Sequence, residues 1–384
     1  MCAKLKMGMV GGGPGAFIGR IHRMAAELDG DAQLVCGAFS SDPERSREAG
    51  SSFHLAPDRV YESYARMFEV EVGQPFAQRM DFVVIATPNH LHYEPARLAL
   101  ESGFHVVVDK PMCFSLEEAR ALQEVVERSG KILAVTYTYS GYPMVKQARS
   151  LVADGRIGRV RKIYAEYTQG WLSSNLEASG SKQASWRTDP ARSGAGGAIG
   201  DIGTHVAHLA EYVSGLSITH VNAMLNTFVQ GRRLDDDSSM LVRFDNGASG
   251  VLVATQIAAG EENNLSIRLY GDKGAIEWQQ LEPNSLVVRS PEGPVEIFRT
   301  GRVYLEEAAA RNSRTPPGHP EGYIEAFANL FGAFFRAVRA QAGGANIDLR
   351  DYDVPGVTDG VRGMAFIEAV IRSAQSDQKW TELV

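Results

Sequence analysis

The sequence predicts an α/β Rossmann domain with a doubly wound parallel sheet, followed by an α+β domain with an open-faced, mostly antiparallel sheet and helices on one face. The chain has 384 residues, about twice the usual size of one domain. Its first third alternates short β-rich runs with helical stretches, which is typical of parallel strands joined by crossover helices. Longer β-rich runs with polar interruptions follow. We expect domains at 1–140 and 141–384, with the C-terminal helix either in the second domain or packed back on the first.

Composition and net charge limit the type of protein and the partners that we expect. Apolar residues make up 44% of the chain and charged residues 22%, as in an ordinary globular protein. The net charge is −7 with no basic block, which argues against nucleic acid and anionic membranes as partners. Cys2, Cys36 and Cys113 show no metal-binding or disulfide spacing. No apolar run approaches the roughly 18 residues of a membrane helix, and the N-terminal residues leave no room for a signal peptide, so we expect a cytoplasmic protein.

The β-rich runs of the first domain are short and apolar, as expected for strands buried on both faces. They are Leu5–Val10, Gln33–Ser40, Phe82–Ala86, His105–Val108 and Ile132–Val135. Pro43 is expected to open the helix after the second strand. Ser115 followed by Glu118 indicates a capping box for a helix that runs to about Ser129.

The second domain should contain a sheet with one polar and one buried face. Its expected strands are Val160–Thr168, His220–Phe228, Ser239–Phe244, Ala248–Gln256, Leu265–Tyr270 and Ala275–Trp278. Asn246-Gly247 is a strong hairpin signal. Expected helices are Asp201–Val213, Tyr323–Ala340 and Gly360–Ser373. The three prolines of Arg311–Gly322 predict an irregular loop.

A glycine-rich stretch after the first strand predicts a dinucleotide site. Gly11, Gly13 and Ala16 meet the G-x-G-x-x-G/A spacing, between a strand and a helix whose free N–H groups attract phosphate. Gly19 stands at the head of that helix, so we expect a loop about three residues longer than usual. The alternative is a merely flexible turn. The expected cofactor contacts are Gly11, Gly13, Pro14, Gly15, Ala16, Phe17 and Ile18.

Polar residues also end two central strands, at the edge where open α/β sheets bind ligands. Lys110, which follows one of them, could hold its ammonium over a reacting hydroxyl or carbonyl group. The alternatives are a capping turn at Pro88 and Asn89 and a solvated surface lysine. The candidates for cofactor contact are Thr87, Pro88, Asn89, His92, Asp109 and Lys110.

An acid and a histidine four residues apart follow a second glycine-rich run. On a helix Asp201 and His205 would share one face, where the carboxylate can orient the imidazole for proton transfer. Such pairs are also common helix-surface neighbours. With His208 they could instead form a metal site of a hydrolase, but that would leave the first glycine run and Lys110 unexplained. We therefore expect no metal.

These motifs resemble the glucose-fructose oxidoreductase, inositol dehydrogenase and rhizopine-catabolism family (Gfo/Idh/MocA). The similar pieces are the first glycine loop with His22 on the next helix, Ala86–His92, Asp109–Pro111, Trp186-Arg187 and Gly200–His205. Two features depart from the family pattern: the longer glycine loop, and Asp109 where the family usually has Glu. The resemblance implies a two-domain enzyme with Lys110, Asp201 and His205 as the catalytic trio.

The resemblance also implies NAD or NADP as cofactor, a sugar or cyclitol as substrate, and a homo-oligomer built through the C-terminal sheet. We expect hydride transfer between nicotinamide and a secondary alcohol or its ketone, with His205 as base. Aromatic and hydrogen-bonding side chains suit a hydroxyl-rich ring. The candidates for substrate contact are Tyr139, Tyr142, Tyr167, Gln169, Trp171, Trp186, Arg187, His205 and His319. The alternative on the same fold is a non-catalytic sugar or nucleotide sensor.

The choice of cofactor depends on the end of the second strand, where an acid would bind the ribose of NAD. Ser40 stands at that position, next to Ser41, and Arg45 follows at a distance that could reach the 2′-phosphate of NADP. Asp42 is a competing ribose ligand unless it only caps the next helix. We lean toward NADP on this pattern.

Overall fold

The computed structural model describes residues 3–13 and 15–384, and these divide into two compact units. The first unit contains the chain up to Tyr137 together with Phe327–Val361. The second contains Thr138–Ala326 and Arg362–Val384. The chain therefore passes out of the first unit close to the expected boundary at residue 140. The expected grouping of 141–384 differs, because Phe327–Val361 returns to the first unit.

The first unit is built on a parallel sheet, as predicted. Its strands are β1 (Leu5–Gly11), β2 (Ala32–Ala38), β3 (Phe82–Ala86), β4 (His105–Val108) and β5 (Leu133–Val135). In the described residues they lie in the order β2-β1-β3-β4-β5, and every pairing between them is parallel. Strands β3 and β4 are buried at every position, which explains their uninterrupted apolar sequences.

Helices connect these strands and place polar loops at their carboxyl ends. They are α1 (Phe17–Glu27), α2 (Pro43–Ser52), α3 (Tyr64–Gly73), α4 (Tyr93–Glu101) and α5 (Leu116–Ser129). The predicted capping box of α5 is confirmed: Ser115 Oγ accepts from the Glu118 N–H, and Glu118 accepts from the Phe114 N–H. Helix α3 was not predicted from the sequence, and α4 was expected only as a helix capped by Pro88 and Asn89.

The second unit is built on one large sheet. Its strands are β6 (Val160–Thr168), β7 (Ile218–Asn226), β8 (Asp237–Phe244), β9 (Ser249–Thr255), β10 (Asn264–Gly271), β11 (Ala275–Gln279), β12 (Ser285–Arg289), β13 (Glu296–Arg299) and β14 (Thr381–Glu382). Their order in the described part of the chain is β13-β12-β11-β10-β6-β9-β8-β7-β14. The β6–β9 pairing is parallel, and the others are antiparallel. The mostly antiparallel sheet is confirmed, and β12 to β14 extend it beyond the predicted strands.

The remaining helices are α6 (Pro143–Ala153), α7 (Lys182–Arg187), α8 (Pro190–Ser193), α9 (Thr204–Ser214), α10 (Glu307–Arg311), α11 (Tyr323–Ala342) and α12 (Val357–Ala374). Helices α6 and α9 pack together and against the sheet, and they bury alternate positions of its strands. The predicted hairpin at Asn246-Gly247 joins β8 to β9. No helix among the described residues has both the length and the apolar character needed to cross a membrane.

Where the chain returns to the first unit, aromatic side chains of α11 pack against the parallel sheet. Phe334 packs edge-on against Phe82 of β3 at 5.3 Å between ring centres, and Phe335 lies 5.5 Å from the same ring. Arg339 adds an ion pair with Asp31 at 2.8 Å. The parallel sheet is thus completed by residues far away in sequence.

Candidate active site

The first glycine loop connects β1 to α1. Gly11, Gly12 and Gly15 have φ values of 80°, 72° and 82°, a region that other residues rarely adopt. A Cβ at Gly13 would lie 2.6 Å from the Phe39 carbonyl oxygen. The cap residue of α1, Ala16, makes no side-chain hydrogen bond to the helix, and its first turn contains no acid. The loop and helix end therefore fit the pyrophosphate of a dinucleotide.

The structure corrects the role of Gly19. Helix α1 begins at Phe17, so Gly19 lies in the first turn of the helix rather than in an extended loop. A Cβ at Gly19 would lie 2.2 Å from the Gly12 Cα, so glycine is required there for close packing of helix against loop. Ile18 lies in the same turn. Pro14, another expected contact, lies outside the described residues.

The end of β2 shows helix capping. Asp42 accepts hydrogen bonds from the N–H groups of Glu44 and Arg45, which confirms the capping interpretation of this residue. Ser40 Oγ accepts from the Asp42 N–H at 3.1 Å, and Ser41 is exposed. The Arg45 guanidinium lies 3.8 Å from the Asp42 carboxylate, and both side chains are more than half exposed.

The loops after β3 and β4 are tied together by a buried histidine. His92 Nδ1 lies 2.9 Å from the Pro111 carbonyl oxygen, and Nε2 lies 2.8 Å from that of Thr87. The ring is 1% exposed, so both nitrogens are directed at backbone rather than at a ligand. We therefore assign His92 to holding these loops instead of to direct cofactor contact. Asn89 is also buried, in the short turn Asn89–Leu91 that follows Pro88.

Asp109 is held from two sides at the end of β4. Its Oδ1 accepts from the Lys110 N–H at 3.0 Å and from Thr136 Oγ1 at 2.8 Å. The shorter acid that replaces the usual Glu therefore anchors the backbone of the predicted catalytic lysine. Lys110 itself is half-buried.

In the second unit, the predicted acid and histidine lie on a distorted helix start. Asp201 lies in a π-helical turn, Ile199–Gly203, and His205 lies in the first turn of α9. The expectation of one regular helix from Asp201 was therefore wrong in detail. Single π turns occur frequently at functional sites. His205 is 7% exposed, and its ring meets that of Tyr139 edge-on at 4.9 Å.

Asp201 is held by two side chains. Its Oδ2 accepts from Gln256 Nε2 at 2.8 Å and from Arg187 Nε at 3.2 Å. The Arg187 guanidinium lies 4.3 Å from the ring centre of Trp186 and 5.8 Å from that of Trp171. The structure thus brings Asp201 together with three of the residues predicted to contact substrate or orient the site.

A network of amides and hydroxyls extends from this cluster. Asn263 Oδ1 accepts from Gln169 Nε2 at 2.6 Å and from the Tyr167 hydroxyl at 2.7 Å. Asn263 Nδ2 donates to the Tyr139 hydroxyl at 3.2 Å, and the two tyrosine hydroxyls also bond each other. Burial raises the pKa of both tyrosines, so they remain neutral near pH 7. Gln256 joins the network through Gln169 Oε1 at 3.1 Å.

Sequence reasoning missed Asn263 and Gln256. Both stand at strand ends, a weak signal, and they reach Gln169 only because β10 and β9 flank β6.

Two of the predicted contacts are placed elsewhere. Tyr142 is 2% exposed and packs on Trp278, so it belongs to the core. His319 is exposed, and its ring bonds the Pro316 carbonyl of its own loop. Glu321 holds that loop by accepting from two backbone N–H groups.

The described part of the chain contains no group of three or more His, Cys, Asp or Glu side chains placed to hold a metal ion. His208 stacks on Tyr212 at 5.8 Å between ring centres.

Comparison with known proteins identifies both halves of the chain. Residues 5–137 match the model of an oxidoreductase family with an NAD-binding Rossmann fold, and residues 145–277 match the GFO/IDH/MocA C-terminal domain. The chain is 34% identical to the uncharacterized oxidoreductase YfiI of Bacillus subtilis, over 98% of this chain and 96% of the relative.

Two further relatives have a known ligand or activity. The structure of an inositol dehydrogenase homolog from Azotobacter vinelandii, complexed with NADH and myo-inositol, is 34% identical, with a TM-score of 0.92 and coverage of 100% of this chain and 98% of that one. Levoglucosan dehydrogenase of Pseudarthrobacter phenanthrenivorans is 27% identical over 99% of this chain and 98% of the relative. The protein therefore belongs to the Gfo/Idh/MocA family of oxidoreductases, and its first unit contains an NAD-binding Rossmann fold.

Proposed function

We propose that this protein transfers a hydride between a nicotinamide and a secondary alcohol, or its ketone, of a sugar, sugar derivative or cyclitol. The observation that carries the proposal is the cluster of Asp201, His205 and hydrogen-bonding side chains in the second unit. The first unit would bind the cofactor, and the second unit would bind substrate. Bound NAD+ supplies the hydride acceptor.

His205 would accept the proton of the reacting hydroxyl as general base. Lys110 would donate a hydrogen bond to the same oxygen and stabilise its negative charge. Asp201 would orient His205 or bind a neighbouring hydroxyl, while Arg187 and Gln256 hold its carboxylate in place.

The substrate class follows from the amides and aromatic rings of the cluster. Gln169, Trp171, Trp186 and Arg187 combine hydrogen-bonding groups with planar faces, which suit a ring that has hydroxyl groups on its edge and C–H groups on its faces. Relatives whose structures hold myo-inositol or levoglucosan support this class. Tyr139 and Tyr167 would support the site through the hydrogen bonds that their hydroxyls make with Asn263.

The deciding experiment is a panel of cyclitols, anhydrosugars, aldoses and their keto derivatives, followed by nicotinamide absorbance. We expect turnover on at least one polyol, with His205→Ala as the inactive control. Turnover that is confined to open-chain 2-hydroxy acids, or absent from every polyol tested, would contradict the proposal.

For the cofactor, we now favour NAD over the NADP expected from Ser40 and Arg45. Arg45 is mostly exposed beside Asp42, and the compared structures hold NAD+ or NADH. We expect kcat/KM for NAD to exceed that for NADP on one substrate. A strong preference for NADP that is lost in Arg45→Ala would restore the first assignment.

Self-association is the remaining part of the proposal. Tyr164, Tyr270 and Leu241 expose apolar surface on the strands of the second unit. We propose that this sheet face pairs with a second copy of the chain. Light scattering should give a dimer or tetramer, and Tyr164→Glu should lower that mass.

A further inference from the structure

A buried carboxylate lies behind the turn that contains Asp201. Asp235 precedes β8, is 9% exposed, and is used by no step of the proposed reaction. Its Oδ1 accepts from the Gly197 N–H at 2.6 Å, and its Oδ2 accepts from the Ile199 N–H at 2.7 Å. Its own carbonyl oxygen accepts from the Ala198 N–H at 2.9 Å. One residue therefore binds three successive N–H groups.

These N–H groups begin the helical segment that contains Asp201 and His205. The first N–H groups of a helix have no partner within the helix, and a side chain of the preceding residue usually caps them. Here the π-helical turn has no such cap, and Asp235, from a distant part of the chain, replaces it. A Cβ at Gly197 would lie 2.1 Å from the Asp235 carbonyl oxygen, so the approach is close enough to require glycine.

The residue after Asp235 supports the same site by a second path. The Asp236 carbonyl oxygen accepts from the Gln256 N–H at 2.9 Å, and the Gln256 side chain holds the Asp201 carboxylate. The Asp236 carboxylate is itself anchored by Arg232 at 3.2 Å. The residues just before β8 therefore support Asp201 in two ways. Asp235 binds the backbone of the turn that contains Asp201. Asp236 binds the backbone of Gln256, whose side chain holds the Asp201 carboxylate.

We propose that Asp235 is a positioning residue for the reaction: its carboxylate fixes the backbone of Gly197 and Ile199, and through it the places of Asp201 and His205. The catalytic part of this inference rests on the proposed function. The hydrogen bonds of Asp235 to the turn do not depend on the proposed function. The support of the turn and its effect on catalysis can therefore be tested separately.

The ionisation of Asp235 gives a second way to test its positioning role. Burial raises its pKa to about 6, although the backbone N–H groups favour the charged form. The charged group that acts on it is the neighbouring Asp236 carboxylate, which opposes its ionisation and itself pairs with Arg232. As the pH falls through about 6, the carboxylate takes up a proton and becomes a poorer acceptor.

The test compares Asp235→Asn with Asp237→Asn, a neighbour of the same type whose side chain bonds Asn226. Asparagine keeps the shape but has one acceptor oxygen for two N–H groups. At pH 8 we expect kcat to fall at least 10-fold in Asp235→Asn, with the Kd of NAD unchanged. The ratio of wild-type to variant kcat should shrink as the pH is lowered below 6, which a merely structural loss would not cause. A ratio that does not change with pH, or an unchanged kcat, would overturn the positioning role.

Amide hydrogen exchange measures how firmly Asp235 holds the turn, and it does not require a substrate. The amides of Gly197 and Ile199 should exchange at least 10-fold faster in Asp235→Asn, while those of β3 should not change. If that variant does not fold, Asp235→Ser, whose side chain is shorter and has a single oxygen, should give the same faster exchange at the two amides. Unchanged protection would overturn the inference, whereas wild-type protein that turns over no polyol would overturn only the proposed function.

Discussion

The histidines of this chain differ in chemistry because their surroundings differ. His205 lies beside a tyrosine ring and near a held carboxylate, in the cluster where a proton acceptor is needed. His92 lies between two backbone carbonyls and joins two loops. His22 is fully buried against the rings of Phe327 and Phe331, and neither of its nitrogens has a hydrogen-bond partner among the described residues. The residue type alone would have suggested one role for all three.

Replacing either proposed catalytic residue should stop the reaction but not cofactor binding. His205→Ala and Lys110→Ala should each lower kcat by at least about 10²-fold, the usual scale for the loss of a general base or an electrostatic partner. NAD affinity, measured by calorimetry, should change little. The matched controls are His220→Ala and Lys273→Ala, which should keep normal turnover. Near wild-type turnover in either test variant would remove that residue from the mechanism.

The buried His22 should make the protein sensitive to acid. Burial lowers its pKa from 6.5 to about 4, so its stabilising contribution is fully present above pH 6.5 and is lost as the pH falls toward 4. Between pH 7.5 and 5.0 this amounts to about 2 kcal/mol of unfolding free energy.

The measurement is urea unfolding of the cofactor-free protein at those two pH values. His22→Phe should lose about 2 kcal/mol less than the wild-type protein on acidification. His105, whose pKa burial also lowers to about 4, is present in both proteins and accounts for part of the loss that remains. An equal pH dependence in the two proteins would show that His22 is not neutral and buried in solution.

At the scale of elements, the dinucleotide fingerprint depends on contact between helix and loop. Gly19 of α1 packs on Gly12 so closely that an added methyl group would overlap it. The loop therefore keeps its form only while α1 stays close, which explains why a glycine lies inside a helix despite its low helix propensity.

Gly19→Ala should push α1 away from the loop and weaken NAD binding by at least 10-fold. The matched control is Gly73→Ala, at the end of α3, where an added Cβ meets no atom within 4 Å. That control should keep its NAD affinity. Equal Kd values for the two variants would contradict the packing argument.

At the scale of the whole molecule, the first unit depends on a segment that follows most of the second unit in sequence. Phe334 is 1% exposed and contacts Phe82 and His105, which lie more than 200 residues earlier. A fragment ending near residue 140 would leave this apolar surface uncovered.

Phe334→Ala should lower the unfolding free energy by about 3–5 kcal/mol, the usual cost of removing a large buried ring. Phe76→Ala, at a position that is 82% exposed, is the control and should change stability little. Thermal and urea unfolding measure both. A loss below about 1 kcal/mol in Phe334→Ala would show that α11 does not complete the core.

Features that arise among near neighbours could be predicted from the sequence alone. The buried run Phe82–Ala86, the cap at Asp42 and the hairpin at Asn246-Gly247 follow from apolar patterning, capping and turn preferences, which act over a few residues. The acid and histidine pair was also visible, because its spacing is local. The strands β12 to β14 were missed because their short runs show weak patterns.

The distant residues that complete these features could be found only from the three-dimensional structure. Gln256, Asn263 and Asp235 reach the predicted site through the register of strands and the path of the chain. The aromatic residues of α11 join the parallel sheet for the same reason, and Tyr142 proved to belong to the core. Hydrogen bonding and burial depend on which segments meet in space. A local pattern determines how each segment folds, but it does not determine which partner the segment will have.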